Sequence, residues 1–327
     1  MSDIKCKMGI VGVGRMGQYH VNVVSGLNTH ELVGIYDNNK ETAAEVAGQY
    51  KIINFETAEE LMKVCDAVTI AVPTNLHYHY AKMALDHDCH VLIEKPITEN
   101  LLQAQEIIEL ARTKSKILQV GHVERFNGAV IELQKIVTNP IYIETKRVSP
   151  FTPRIVDVGV VMDMLIHDLD IVLNLVKSPL KHYTSIGRSI LSKHEDIATI
   201  NLLFENGVIA TLSASRVSQF KERVLYATQE NSYVKLDYAK QDIEIHRQAS
   251  TANLITPDEI RYSQESFVEN LFVHKDNPLK SEQIHFYECI TNNETPLVSN
   301  DKDLETLKIT LDSVDMIRDA KPKYHTM

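Results

Sequence analysis

Asp163 and His167 stand four residues apart in the run DVGVVMDMLIHDLD (157–170). On a helix that spacing puts them on one face, where the carboxylate can orient the imidazole and raise its basicity. Such a pair makes a general base working near neutral pH. Taken alone, the same two residues also read as a structural pair. The polar line Asp163, His167, Asp170, Asn174 borders an apolar stripe of Met162, Leu165, Ile166, Leu169, Val172, Leu173 and Val176. A second chemistry-bearing run is Gly12-Val13-Gly14-Arg15-Met16-Gly17, a GxGxxG placed between an apolar run and a helical pattern. Gly12 permits a tight turn, Gly14 lets backbone approach a pyrophosphate, and Gly17 permits close helix packing, with Arg15 and Met16 presenting N–H groups at the helix start. Asp37 follows at the end of the next apolar run and is placed to accept from both ribose hydroxyls of NAD. It would repel a 2′-phosphate, and the nearest cation is Lys40, so NAD is expected over NADP.

These residues need a frame. Met8–Val11, Leu32–Tyr36, Ala67–Val72, Val91–Ile93 and Ile117–Val120 read as strands buried on both faces, with Ile52–Phe55 a weaker one. Thr57-Ala58-Glu59-Glu60 is a capping box, and Thr98 is placed to cap a helix through Leu101–Ala111. The alternation predicts a Rossmann domain, a doubly wound parallel sheet, over residues 1–122. Val72, Pro73, Thr74, Asn75 and His77 follow the fourth strand at the carboxyl edge, where ligands of such sheets bind. They are cofactor candidates, although a proline-terminated loop reads the same way. Glu94-Lys95-Pro96 follows the fifth strand at that edge, and Glu94 and Lys95 join the cofactor candidates.

After residue 122 the pattern changes. A helix over Ala129–Val137 precedes strands at Ile141–Val148, Ile197–Phe204, Val208–Ser213, Val224–Ala227, Tyr233–Tyr238 and Ile243–His246. Asn206-Gly207 signals a hairpin, because both residues tolerate positive φ. Residues 123–327 are therefore expected to form an α+β domain with a mainly antiparallel open sheet, closed by a helix with Leu304, Leu307, Leu311, Val314 and Ile317 at helical spacing.

The chain has 327 residues, 34 Lys+Arg and 44 Asp+Glu, a net charge of −10 that argues against a nucleic-acid partner. Cys6, Cys65, Cys89 and Cys289 lie far apart with no CxxC, as expected of reduced thiols in a cytoplasmic protein. No apolar run reaches the ~18 residues that span a bilayer, no signal peptide precedes the first strand, and no membrane partner is expected. His77, His79, His87, Cys89 and His90 cluster, but their spacing does not suit a metal.

GVGRMG (12–17), EKP (94–96) and DVGVVMDMLIHDLD (157–170) together resemble the glucose–fructose oxidoreductase/inositol dehydrogenase family of sugar oxidoreductases. The resemblance implies that Lys95, Asp163 and His167 surround the hydroxyl to be oxidised, and that the second domain pairs subunits into a homo-dimer or homo-tetramer through its sheet. That family often carries several glycines before the helix motif; here only Gly159 remains. GHVERFNGAV (121–130) and RVSPFTPRIVDVGVVMDMLIHDLD (147–170) further resemble bacterial UDP-N-acetylglucosamine 3-dehydrogenases, which make a 3-keto sugar for amination in lipid A synthesis. On that reading His167 is the base, Lys95 stabilises alkoxide charge, and Asp163 orients His167 or pairs with Lys95. Arg147 and Arg154 become candidate diphosphate clamps, and Arg125 and Asn127 candidate substrate contacts. Arg125 also reads as a structural interdomain ion pair. A dehydrogenase of inositol or a simple sugar, and a non-catalytic NAD-binding regulator, are the competing readings. Both Rossmann order and a cleft between the domains are expectations of this frame.

Overall fold

Apolar runs buried on both faces need helices above and below them, and the first part of the chain supplies both. The computed structural model describes residues 5–152, 158–256 and 259–320. It divides into two units, one of Met1–Phe126 with Asn277–Lys308 and one of Asn127–Asp276 with Ile309–Met327. The expected single boundary at 122/123 is thus replaced by a chain that returns to its first unit near the end.

In the first unit, β1 (Cys6–Val11), β2 (His30–Tyr36), β3 (Ile53–Asn54), β4 (Ala67–Ile70), β5 (His90–Glu94) and β6 (Leu118–Gly121) alternate with α1 (Arg15–Ser25), α2 (Lys40–Tyr50), α3 (Ala58–Met62), α4 (His77–Asp86) and α5 (Leu101–Thr113). The strands run parallel in the order β3-β2-β1-β4-β5-β6. This is the Rossmann order, and its register pairs Val11 with Tyr36 and Ile70, Ile70 with Ile93, and Glu94 with Gly121. Gly12, Asp37, Val72 and Lys95 therefore emerge at one carboxyl edge. Asn100, not Thr98, caps α5: it directly precedes Leu101, its backbone is extended, and its Oδ1 accepts the Gln103 N–H at 3.0 Å. The Thr98 hydroxyl instead donates to the Asn100 carbonyl at 2.7 Å.

In the second unit, α6 (Gly128–Ile136) precedes β7 (Tyr142–Val148), and α7 (Ile166–Leu175) continues a π-helical turn over Val161–Leu165. β8 (Leu180–Arg188), β9 (Ile197–Phe204), β10 (Ile209–Ser215), β11 (Glu222–Gln229), β12 (Ser232–Asp237), β13 (Asp242–Thr256) and β14 (Glu259–Leu271) complete a sheet ordered β14-β13-β12-β11-β7-β10-β9-β8. Only β7 and β10 pair in parallel among the described strands of this sheet. β9 and β10 alternate buried and exposed residues, so one face enters the core with Leu165, Leu169 and Val172, while Ile209 and Tyr233 are exposed. At the β9–β10 turn only Gly207 takes positive φ, +87°; Asn206 holds the turn through its side chain, which accepts the Val208 N–H at 3.2 Å.

Two C-terminal helices follow. α8 (Pro278–Asn292) belongs to the first unit, where Phe286 is buried with Met8, Ile10 and Ile35. α9 (Asn300–Asp319) starts in the first unit and ends in the second. Its buried positions include Asp303, Thr306, Thr310 and Ser313 beside Leu307 and Ile317, a more polar face than the leucine spacing suggests. No helix of the described residues is long and apolar enough to cross a membrane. All four cysteines are free, and burial pushes Cys6 up to about 12 and Cys89 to about 11.

A buried and a half-buried imidazole couple the first unit to pH. His30 opens β2 against the Tyr287 ring at 5.4 Å, and His90 opens β5 with its Nδ1 accepting the Ile117 N–H at 2.9 Å. Burial lowers both to about 4. The unfolded chain takes up protons near the ordinary histidine value, ~6.5, while the folded chain refuses them. Stability is therefore full above that value and falls as pH drops from about 6.5 to about 4, by up to about 3 kcal/mol for His30. The urea midpoint should decline over that interval, and His30→Gln should flatten the decline.

Candidate active site

The glycine loop is built by two close approaches and one open position. Gly12 takes φ +88°, and a Cβ there would stand 2.7 Å from the Ala71 carbonyl oxygen. A Cβ on Gly17 would stand 1.9 Å from the Gly12 carbonyl oxygen, whereas a Cβ on Gly14 would meet nothing within 4 Å. Gly14 caps α1 without any side-chain hydrogen bond, so the first-turn N–H groups, including those of Arg15 and Met16, have no side-chain cap. An open backbone at a helix N-terminus is what a dinucleotide pyrophosphate requires, and the site fits that group. The Asp37 carboxylate accepts the Val13 N–H at 2.7 Å and the Asn39 N–H at 2.8 Å, which fixes it beside the glycine loop with lone pairs left for ribose hydroxyls. Lys40 is turned to Glu56 at 3.0 Å.

The Glu94-Lys95-Pro96 segment is held on both sides. Glu94 Oε1 accepts from His20 Nε2 at 2.8 Å, and its Oε2 accepts the Lys95 N–H at 3.3 Å. Burial alone would raise the Glu94 carboxyl, but the hydrogen bond from His20 and the charge of Lys95 hold it below its ordinary value. His77 is not a ribose contact as expected: it is 1% exposed, with Nδ1 2.8 Å from the Pro96 carbonyl and Nε2 2.9 Å from the Val72 carbonyl. Its ring braces the β4 loop against the EKP segment, and burial lowers its pKa. Val72 contributes its carbonyl to that brace, Pro73 and Asn75 are exposed, and Thr74 is half-buried.

In the second unit, the helix bearing Asp163 and His167 has its own seat. The Val160 N–H donates to the Glu195 carbonyl at 2.9 Å and the Val161 N–H to the Glu195 carboxylate at 3.2 Å. A Cβ on Gly159 would stand 1.9 Å from that carboxylate, which explains why this glycine is present where its neighbours are not. Arg216 donates to the Val158 carbonyl at 2.8 Å and to Asp196 at 2.7 Å. Asp196 also accepts the Ile190, Leu191 and Ser192 N–H groups. Burial opposes ionisation of Asp196, yet these donors hold it far below the usual carboxylate range. The π turn sets the register at which Asp163, inside it, precedes His167, just after it; both are half-buried.

Three substrate assignments from the sequence need correction. Arg147 is 3% exposed and donates from Nε and Nη2 to Asp168 at 2.8 and 3.0 Å, with its guanidinium over the Tyr238 ring. It ties α7 to β7 instead of facing solvent. Arg125 is 4% exposed and its guanidinium is engaged by buried Asp303 of the same unit, so the expected substrate contact is an ion pair instead, and one within a unit and not between domains. Asn127 is the N-cap of α6, accepting the Ala129 N–H at 3.1 Å and donating to the Tyr238 carbonyl at 3.0 Å. Arg154 lies outside the described residues. Sequence reading missed His20, Gln283, Glu195, Asp196, Arg216 and Asp303. His20, three residues after Gly17, was the one with a local signal; Gln283 is 263 residues from its partner and had none.

Two family models cover the chain: an oxidoreductase family with an NAD-binding Rossmann fold over residues 6–122, and a GFO/IDH/MocA C-terminal domain over residues 128–245. The chain is 33% identical over 250 residues to the UDP-N-acetylglucosamine 3-dehydrogenase of Acidithiobacillus ferrooxidans, covering 76% of this chain and 79% of that one. The solved structure of that organism's enzyme superposes with a TM-score of 0.89 at 28% identity, over 97% of this chain and 98% of the other. The scyllo-inositol 2-dehydrogenase (NAD(+)) of Bacillus subtilis is 23% identical, over 98% of this chain and 96% of its own.

The two loop glycines should separate folding from binding. Gly14→Ala should leave the thermal midpoint within about 2 °C while weakening NAD at least about tenfold by calorimetric titration. Gly17→Ala should instead destabilise the fold by about 1–3 kcal/mol or more. Arg147→Met should cost about 3–5 kcal/mol in urea unfolding, because Asp168 is left buried and uncompensated. Adding Asp168→Leu should recover much of that loss.

Proposed function

Because the chain belongs to the GFO/IDH/MocA family of NAD-binding oxidoreductases, we propose that it oxidises a sugar secondary hydroxyl to a ketone, acting on the 3-hydroxyl of UDP-N-acetylglucosamine. The observation that carries the substrate is the likeness to the Acidithiobacillus enzyme, which runs through both units at 28% identity, so it includes the residues beyond the nucleotide-binding half. NAD, when bound, supplies the hydride acceptor. Gly14 and the first turn of α1 would hold its pyrophosphate, and Asp37 its ribose hydroxyls.

The chain's own residues then handle the proton. His167 takes the hydroxyl proton, since an imidazole titrates near working pH. Lys95, as an ammonium, is the residue read as stabilising the alkoxide charge that builds as the carbonyl forms. Asp163 orients His167. Retention of all three supports catalysis over a regulator that only binds NAD. Reduction of a ketone by the same residues follows the reverse path, with His167 returning the proton.

One observation favours a second reading. Arg147 is spent on Asp168, which leaves Arg154 as the remaining one of the two diphosphate candidates. Inositol or an unphosphorylated sugar needs no such clamp. Incubation with NAD and each of UDP-N-acetylglucosamine, inositol and glucose, followed by NADH absorbance, decides between them. Turnover should be selective for the UDP sugar and fall at least about a hundredfold in Lys95→Met with NAD affinity retained. Near-normal turnover in that variant, or selective turnover of inositol, would overturn the assignment.

A further inference from the structure

The first unit contains a buried polar chain that ends at Lys95. Gln283 of α8 donates from Nε2 to His20 Nδ1 at 2.9 Å and to Thr69 Oγ1 at 3.1 Å. His20 of α1 donates from Nε2 to Glu94 at 2.8 Å, and Glu94 accepts the Lys95 N–H. Thr69, His20 and Gln283 are all 0% exposed. A ring nitrogen that accepts cannot also carry the proton, so the donor on Nδ1 leaves the ring proton on Nε2, aimed at the carboxylate. At that depth each bond decides the direction of the next.

We propose that Gln283 and His20 are positioning residues for Lys95: Gln283 selects the His20 tautomer that donates to Glu94, and Glu94 fixes the Lys95 backbone beside an anionic group. This inference rests on the reading of Lys95 as the residue that stabilises the alkoxide. The returning helix α8 is thereby a working part of the site, joined to it by hydrogen bonding as well as by the packing of Phe286.

The neighbouring residue fits the same arrangement. Glu282 is 0% exposed, and neither carboxyl oxygen has a hydrogen-bond partner. Burial first, and then the charge of Glu94, raise its pKa well above the ordinary value, while Arg125 opposes that rise. α8 therefore presents a neutral acid and an amide to this region, and Glu94 keeps the negative charge. The charged and titratable groups facing Glu94 are His20 from α1, His77 from α4, Glu282 from α8 and Lys95 itself.

The test uses the full-length protein with NAD and the best substrate of the panel above. Nitrogen-15 histidine spectra of the wild type should show the Nε2–H tautomer for the neutral His20 ring. Gln283→Leu should lose that single tautomer. Its kcat should drop about tenfold, with KM for NAD within twofold and the alkaline limb of the kcat–pH profile displaced. Gln283→Glu, which puts an acceptor opposite Nδ1, should drive a proton onto Nδ1 and shift the profile as well. A wild-type His20 protonated on Nδ1 overturns the proposal without any variant having to fold. So does a Gln283→Leu protein with wild-type kcat and pH profile while Lys95→Met is inactive. If Lys95→Met keeps its activity, the reading of Lys95 fails instead, and the tautomer result stands apart from it.

Discussion

A carboxylate that must stay ionised where water is scarce demands donors, and Glu94 is the carboxylate on which the first unit turns. Taking it out of water costs several kcal/mol before any partner is counted. The structure answers with His20 Nε2 at 2.8 Å and the Lys95 N–H, which together keep the group charged against its burial. His20 in turn is fully buried and needs a defined tautomer. That requirement reaches α8, contributed by a segment that follows the whole second unit in sequence. A Rossmann unit made only of residues 1–126 would lack Gln283, and Phe286 would be missing from its core.

The same economy governs the second unit. Asp168 and Asp196 are each about 1% exposed or less, and each is matched by an arginine, Arg147 and Arg216. Buried pairs of this kind add little net stability compared with apolar packing, but they fix direction, since a guanidinium fork accepts only a few geometries. Here the direction is that of the helix bearing Asp163 and His167. Arg147 pins its first α turn to β7, and Arg216 and Glu195 hold the chain where it enters the π turn.

Much of this was legible in the sequence where local chemistry decides the outcome. GxGxxG followed by Asp37 identified the dinucleotide loop, because turn geometry, helix dipole and strand end all fall within 26 residues of chain, 12–37. Five of the six first-unit strands announced themselves by continuous apolar character. β8 and β14 did not: in Leu180–Arg188 only Ser185 is buried, so the run shows no strand periodicity, and its pairing with β9 marks it as a strand. The arginines show the limit more sharply. Arg125 and Arg147 have the composition of anion clamps, and no local pattern distinguishes a guanidinium facing solvent from one facing an aspartate 178 or 21 residues away. The polar face of α9 was hidden for the same reason, since Asp303 and Ser313 are buried only because Arg125 and Ser185 meet them.

Those buried pairs also change what the net charge of −10 means for an anionic ligand. An acidic surface repels at long range, but the repulsion is screened within about 10 Å at ordinary ionic strength. What a bound anion senses is the local set of donors, and three arginines here are neutralised by aspartates before any ligand arrives. The uncapped first turn of α1 and the Lys95 ammonium are donors of a different kind, a helix end and a flexible chain. Recognition of a dinucleotide then depends on backbone N–H groups that any substitution other than proline leaves in place but a Cβ can block. The glycines of the loop therefore constrain cofactor binding more tightly than any single charge does.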